Sequence, residues 1–384
     1  MNTPYLRGVA TSAFGLRDGV GVLDLLGEAA IGALDDAGVQ SRDVDGVLCG
    51  YATTMPHLML STVFCERMGL TPSYAHGMSL GGATGAAMAM LAGDLVRSGR
   101  CRNVLVVGGE NRATGQSRND AIQTLAQVGD ADFEVPNGGS IPAYYAMLAS
   151  AYMARTGLEQ ADLAELAVMM RRHASTHPQA HLREIVSVEQ VMASKPIAEP
   201  LKLLDCCPIS DGRVALLVSS TPGPGRAVEM AGAGQAHLHQ HLSATEDVFD
   251  TGARRASDLA FAQAGVDRAE VDYLGVYDSF TITLAMLLEE TGFAPRGRSP
   301  ALARDGVFSA DGKLPLNTHG GLLSFGHSGV AGGMAHVVEA VRQLSGRAGE
   351  RQLPSARSTA FIHADGGVLS SHVSLVLRAQ RGTS

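Results

Sequence analysis

The chain has 384 residues, 45% hydrophobic and 18% charged, so it is long enough for two or three domains or one large α/β architecture and is not a disordered chain. Its 30 Lys and Arg against 38 Asp and Glu leave a net charge of −8, which excludes a broad basic surface for nucleic acid. Five cysteines, at positions 49, 65, 101, 206 and 207, lack CxxC spacing and exclude a disulfide framework or zinc ribbon, which points to a reducing cytoplasm. The first residues contain no continuous apolar stretch before a cleavage site, so no secretion leader is expected. Residues 70–93 are free of charge but crowded with Gly, Ser, Thr, Pro and His, and read as a buried loop and helix, not as a membrane span.

Periodicity predicts a helix over residues 23–37, a strand near 44–49, a helix over 83–96 and a strand over 103–110. Such alternation implies parallel strands joined by crossover helices. From about 111 to 240 the pattern changes to helices, including 144–155 and 162–173, separated by polar loops, as in an inserted or covering domain. Alternation then resumes with a helix over 253–264, a strand over 273–278, a helix over 328–344 and a strand over 359–363. The expected division is 1–245, with the insertion at about 111–240, and 246–384.

The two ends share a grammar. Residues 78–90, MSLGGATGAAMAM, open a helix followed by the strand VLVVGGE; residues 325–341, FGHSGVAGGMAHVVEAV, open another followed by AFIHADGG. The pairing reads as an internal duplication, or as the grammar common to any two βαβ units. Gly and Ala through 83–92 permit close backbone approach on every side, so this helix is expected at the centre. Ser79 precedes its N-terminus, where free N–H groups and a partial positive charge gather. His327 holds the matching place in the second unit. These two entries suggest a site built between two halves.

Several longer motifs carry a resemblance. Residues 317–333, NTHGGLLSFGHSGVAGG, resemble the N-x-x-GG…GHP-x-G-x-x-G element of the thiolase superfamily, with Ser328 in place of Pro. Residues 277–280, YDSF, stand at its N-E-A-F or H-D-C-F position, and 200–212, PLKLLDCCPISDG, are also similar. The resemblance, closest to the sterol-carrier-protein type and its bacterial relatives, covers nearly the whole chain. It implies an α/β fold of five layers, αβαβα, built from two similar halves with an inserted loop domain. It also implies a coenzyme A thioester as substrate, no tightly bound cofactor and no metal, and a homodimer or homotetramer.

Carried over by position, the family's nucleophilic cysteine aligns with Ser79 and its second, acid/base cysteine with His363. The histidine of GHP is His327, and the Asn of N-E-A-F aligns with Tyr277. A serine hydroxyl is far less acidic than a thiol and needs an adjacent base. His327 with a main-chain N–H from Gly366 or Gly367 would instead hold an enolate oxygen, while Tyr277 or His363 takes the proton of a β-hydroxyl. That chemistry is retro-aldol cleavage of a β-hydroxyacyl-CoA, and some bacterial relatives of this kind work with a small OB-fold acyl-CoA-binding partner. The alternatives are Ser79/His acyl transfer of the acetyl-CoA acetyltransferase type and a non-catalytic acyl-CoA-binding subunit or scaffold.

Asn317, His319, Gly320, Gly321, Gly326, Gly366 and Gly367 are expected around the substrate, the glycines chiefly through tight turns and N–H groups. His237, His239 and His241 alternate as zinc ligands on one strand face would, yet have no acidic or cysteine partner nearby in sequence, so an exposed or interface strand is the expectation.

Overall fold

A computed structural model describes residues 2–380. The first half of the chain runs β1 (Tyr5–Thr11), α1 (Val22–Ala37), β2 (Gly46–Gly50), α2 (Leu60–Met68), β3 (Tyr74–Met78), α3 (Thr84–Arg97) and β4 (Asn103–Asn111). The chain then leaves the sheet through α4 (Arg118–Ala126), α5 (Ile141–Thr156), α6 (Gln160–Ser175), α7 (Val188–Ala193) and the small hairpin β5 (Pro196–Ala198) and β6 (Leu201–Lys202). It returns as β7 (Asp211–Ser219). The second half runs β8 (Val228–His237), α8 (Ala253–Ala264), β9 (Tyr273–Val276), α9 (Thr281–Glu290), α10 (Ser299–Arg304), α11 (Gly321–Ser324), α12 (Val330–Ser345), β10 (Thr359–Gly366) and β11 (Ser371–Ala379). The excursion is thus shorter than residues 111–240, because β7 pairs with β1 and β4, and β8 pairs with β11.

Strand order makes the duplication visible. The strands lie as β3-β2-β4-β7-β1-β8-β11-β10-β9, with Leu316 bridging Leu274 beyond β9 in the place that β3 holds beside β2. Read outward from the β1–β8 junction, where Tyr5 meets Glu229, each half repeats one order. Alternation along the strands then fixes the layers. In the first half Val104, Val106, Val214 and Leu216 face the core shared with α3 and α12, while Leu105, Val107, Ala215 and Leu217 face the core under α1 and α2. In the second half Ile362, Ala364, Val373 and Leu375 face the same central helices, while Leu274, Val276 and Phe361 face the core of α5, α6, α8 and α9. Both inner faces meet α3 and α12, which gives the five layers expected.

Small residues explain why those two helices can share the centre. Gly85 of α3 lies so close to Met334 of α12 that a Cβ there would overlap its side chain. In α12 nearly every residue from Val330 to Ser345 is buried, as a helix covered on all sides must be. No helix among the described residues is long and apolar enough to cross a membrane. Among the described residues no group of three or more His, Cys, Asp or Glu is placed to hold a metal ion, and the three alternating histidines part company: His237 bonds Ser371 while His241 faces Asp130.

Candidate active site

The two glycine-framed helix entries converge at the C-terminal end of β9. Helix α3 begins at Thr84, five residues after Ser79, so Ser79 stands on a preceding turn and not on the helix N-terminus itself. That turn is locked by Thr84: the Leu80 N–H donates to Thr84 Oγ1 at 2.7 Å, and the Thr84 hydroxyl donates to the Gly81 carbonyl at 2.7 Å. Gly81 has φ +55°, and a Cβ on it would lie 2.8 Å from the Gly367 nitrogen. Gly82 abuts the Tyr277 hydroxyl and the Asp365 carbonyl so closely that no side chain fits there. The Ser79–Gly82 turn, the Gly366–Gly367 turn and Tyr277 therefore meet.

His327 reaches the same point from the second entry. Its N–H donates to the Pro208 carbonyl at 3.1 Å, and its carbonyl accepts from the Ser210 N–H at 3.0 Å, so the 208–210 segment grips its backbone. The Ser328 hydroxyl shares its proton between the Glu110 carbonyl at 2.7 Å and the Gly212 carbonyl at 2.9 Å, tying this loop to β4 and β7. The half-buried imidazole then sets Nε2 3.0 Å from Tyr277 Oη. On its other side Arg112 Nη1 lies 3.4 Å from Nδ1. Burial first, and the Arg112 cation second, push the His327 pKa down to about 3, so the ring is neutral at physiological pH. Tyr277 is driven well above the ordinary phenol value by burial and by its acidic neighbours Cys207, Asp365 and Tyr51, with Arg112 opposing.

His363 is elsewhere. Strand β10 continues to Gly366, so His363 lies within the sheet, not in a loop after it, and strand alternation decides where its ring points. It is in register with Val276 and stacks beside Phe361, which places it on the outer face under α8. Both its nitrogens are engaged: Nδ1 lies 2.8 Å from Ser374 Oγ and Nε2 3.1 Å from His372 Nδ1, while His372 Nε2 lies 3.1 Å from the Leu369 carbonyl. That carbonyl can only accept, so His372 donates from Nε2, His363 donates to His372, and Ser374 donates to His363. The expected acid/base role for His363 gives way to a closed structural relay.

Other expected residues are engaged by the fold itself. Asn317 uses its whole amide on the Val276 backbone, at 2.9 Å and 2.7 Å, and so pins the end of β9. His319 is buried, its ring 4.9 Å from His336 and 5.2 Å from Phe325. Gly320, Gly321 and Gly326 are wedged against Ala174, the Asp278 carboxyl and Ser210, which makes them packing glycines. Ser79 itself is exposed, and none of the hydrogen bonds of His327, His363 or Tyr277 reaches it.

Three groups near Tyr277 escaped the sequence reading. Cys207 and Asp365 both raise its pKa, and Asp365, fully buried, accepts from Tyr145 Oη at 2.9 Å. Arg112 closes the far side of His327. The one signal for this corner was Glu110, a charge at the end of the apolar run VLVVGG.

The family models described as "Thiolase, N-terminal domain" and "Thiolase C-terminal domain-like" match residues 7–221 and 234–379. The chain belongs to the thiolase superfamily. An acetyl-CoA acetyltransferase of Methanothermobacter thermautotrophicus is 31% identical over 381 residues, covering 95% of this chain and 97% of its own. A steroid side-chain-cleaving aldolase of Thermomonospora curvata is 31% identical over 396 residues, covering 98% of each. The solved structure named "Ltp2-ChsH2(DUF35) aldolase" superposes with a TM-score of 0.85 at 28% identity, covering 100% of this chain and 99% of that one. This thiolase-superfamily chain is accordingly an enzyme of the acyltransferase or carbon–carbon lyase kind.

Proposed function

We propose that the enzyme cleaves the Cα–Cβ bond of a β-hydroxyacyl-CoA thioester in the retro-aldol sense. One observation carries the reading: His327 and Tyr277 stand 3.0 Å apart at the meeting point of both glycine turns, while Ser79 has no imidazole. In the cleavage direction the ionised phenolate of Tyr277 takes the β-hydroxyl proton, the Cα–Cβ bond breaks to leave a carbonyl compound, and its electron pair forms the thioester enolate. His327, with the Gly367 main chain, stabilises the enolate oxygen, and such a donor contributes about 3 kcal/mol to lowering a barrier. The enolate then takes up a proton to give the shortened acyl-CoA.

The alternative, acyl transfer through Ser79, draws support from the resemblance to the acetyl-CoA acetyltransferase. It lacks a base: no hydrogen bond joins Ser79 to His327, and both nitrogens of His363 are engaged by Ser374 and His372. The name of the aldolase structure, pairing Ltp2 with ChsH2(DUF35), supports a small partner protein for this chain as well. The unpaired edge of β3, near fully exposed Leu58, supports association of two copies.

The experiment is direct. A panel of β-hydroxyacyl-CoA thioesters, with and without a DUF35 protein, is expected to yield equal amounts of a ketone or aldehyde and a shorter acyl-CoA. No carbonyl product across the panel, together with CoA-dependent acyl exchange, contradicts the reading.

A further inference from the structure

We infer that Arg112 is a positioning residue that fixes His327 in the neutral tautomer carrying its proton on Nε2, so that the imidazole serves the site as a hydrogen-bond donor. The inference deepens the reading above and rests on it for the identity of the reacting atoms. A guanidinium has five donors and no acceptor, so Nδ1, 3.4 Å from Arg112 Nη1, must present its lone pair. The single proton of a neutral ring then lies on Nε2, facing Tyr277 Oη at 3.0 Å.

Arg112 is held for this task. Its side chain is only 10% exposed, and its Nε lies 4.0 Å from Glu110 Oε1. Glu110 is pinned in turn, because its other oxygen accepts from the Thr53 N–H at 2.6 Å, the Thr53 hydroxyl at 2.7 Å and the Thr54 N–H at 3.2 Å. The backbone that carries the ring is fixed, since the 208–210 segment and Ser328 grip it on either side. The titratable groups facing it are Arg112 from the end of β4 and Tyr277 from the end of β9, with Cys207, Asp365 and Tyr51 clustered about Tyr277.

Two consequences follow. A His327 with Nε2 already protonated cannot deprotonate Ser79, which removes the acyl-transfer base. Donation from Nε2 also reaches whichever oxygen, phenol or enolate, bears the developing charge, with the Arg112 cation behind it.

The test is the protonation state of His327 in the full-length enzyme. Long-range proton–nitrogen NMR correlations of histidine-labelled protein, assigned by loss of one set in His327→Asn, are expected to show Nε2 protonated and Nδ1 bare from pH 5 to 8. Arg112→Met is expected to mix the tautomers, raise the pH at which the ring charges and lower turnover by about tenfold. Arg112→Lys is expected to restore the wild-type pattern in part. A wild-type ring protonated on Nδ1, or an Arg112→Met spectrum and titration identical to wild type, overturns the inference. Should Arg112→Met not fold, Arg112→Gln takes its place, and a spectrum and titration identical to wild type there overturns the inference equally. If the tautomer is as stated but Tyr277→Phe and His327→Asn cleave at full rate, the aldol reading falls and this one stands.

Discussion

Tyr277 Oη and His327 Nε2 lie 3.0 Å apart though the residues are 50 positions apart in sequence, and neither could make the contact without the glycines around it. Gly82 leaves room for the phenol, and Gly333 of α12 passes 2.8 Å from the Gly82 carbonyl measured from a Cβ it does not have. Tyr277→Phe should lower cleavage of a β-hydroxyacyl-CoA by about 10²–10⁴-fold, and His327→Asn by about 10²–10³-fold, with folding intact by circular dichroism.

Gly82→Ala should do as much harm without removing any functional group. The added methyl overlaps the Tyr277 hydroxyl, so the phenol must leave His327 or α3 must shift. The expected outcome is loss of turnover comparable to Tyr277→Phe, accompanied by a lower melting temperature.

Ser79→Ala should keep turnover close to wild type. Ser79 is exposed and no hydrogen bond of His327 or His363 reaches it, which supports a hydroxyl that takes no part in the chemistry. Loss of nearly all activity, measured with the same thioesters, would restore acyl transfer.

His363→Ala should destabilise the fold while leaving kcat near wild type, the reverse of what an acid/base predicts. The substitution leaves His372 Nδ1 without its donor in a fully buried layer, at a cost of about 1–3 kcal/mol plus a cavity. Urea unfolding and steady-state kinetics on one preparation separate the two roles.

How far the sequence carries is clearest at these residues. The alternation of 23–37, 103–110, 253–264 and 359–363 comes from apolar periodicity, which local chemistry imposes, and α1, β4, α8 and β10 appear in those places. Motif positions likewise bring Tyr277, His327 and the Gly81–Gly82 and Gly366–Gly367 turns together. What stayed hidden is direction. Whether His363 points at the site depends on where β10 ends, and three more residues of pairing with β11 turned its ring to the outer layer. Arg112 was equally hidden, because its contact spans 215 positions and no local pattern encodes it.

Acid should weaken the fold through its buried histidines. Burial holds His173 and His177 down to about 4, His327, His336 and His372 to about 3, and His319 and His363 well below their ordinary value. In the unfolded chain these rings charge near 6.5. The unfolded state therefore binds more protons below that pH, so the contribution to stability is complete above about 6.5 and is lost as pH falls toward 4, by up to about 1.4 kcal/mol per ring and pH unit. Asp205, Asp278, Glu290 and Asp365, whose pKa values burial raises, act in the opposite sense but are outnumbered by the seven histidines. The urea midpoint should be lower at pH 5 than at pH 7.5.

Turnover in the cleavage direction should rise with pH through the alkaline range. Tyr277 must be ionised to accept the β-hydroxyl proton, and its pKa is held well above 10, so the reactive fraction grows about tenfold per pH unit until the fold fails.

Intact-protein mass, followed with the products during turnover of a β-hydroxyacyl-CoA, examines carbon–carbon cleavage without an acyl-enzyme most directly. The expected result is a carbonyl compound and a shorter acyl-CoA in equal amounts, with the polypeptide mass unchanged at every time point. An acyl increment on Ser79 that forms and decays at the rate of turnover would contradict it.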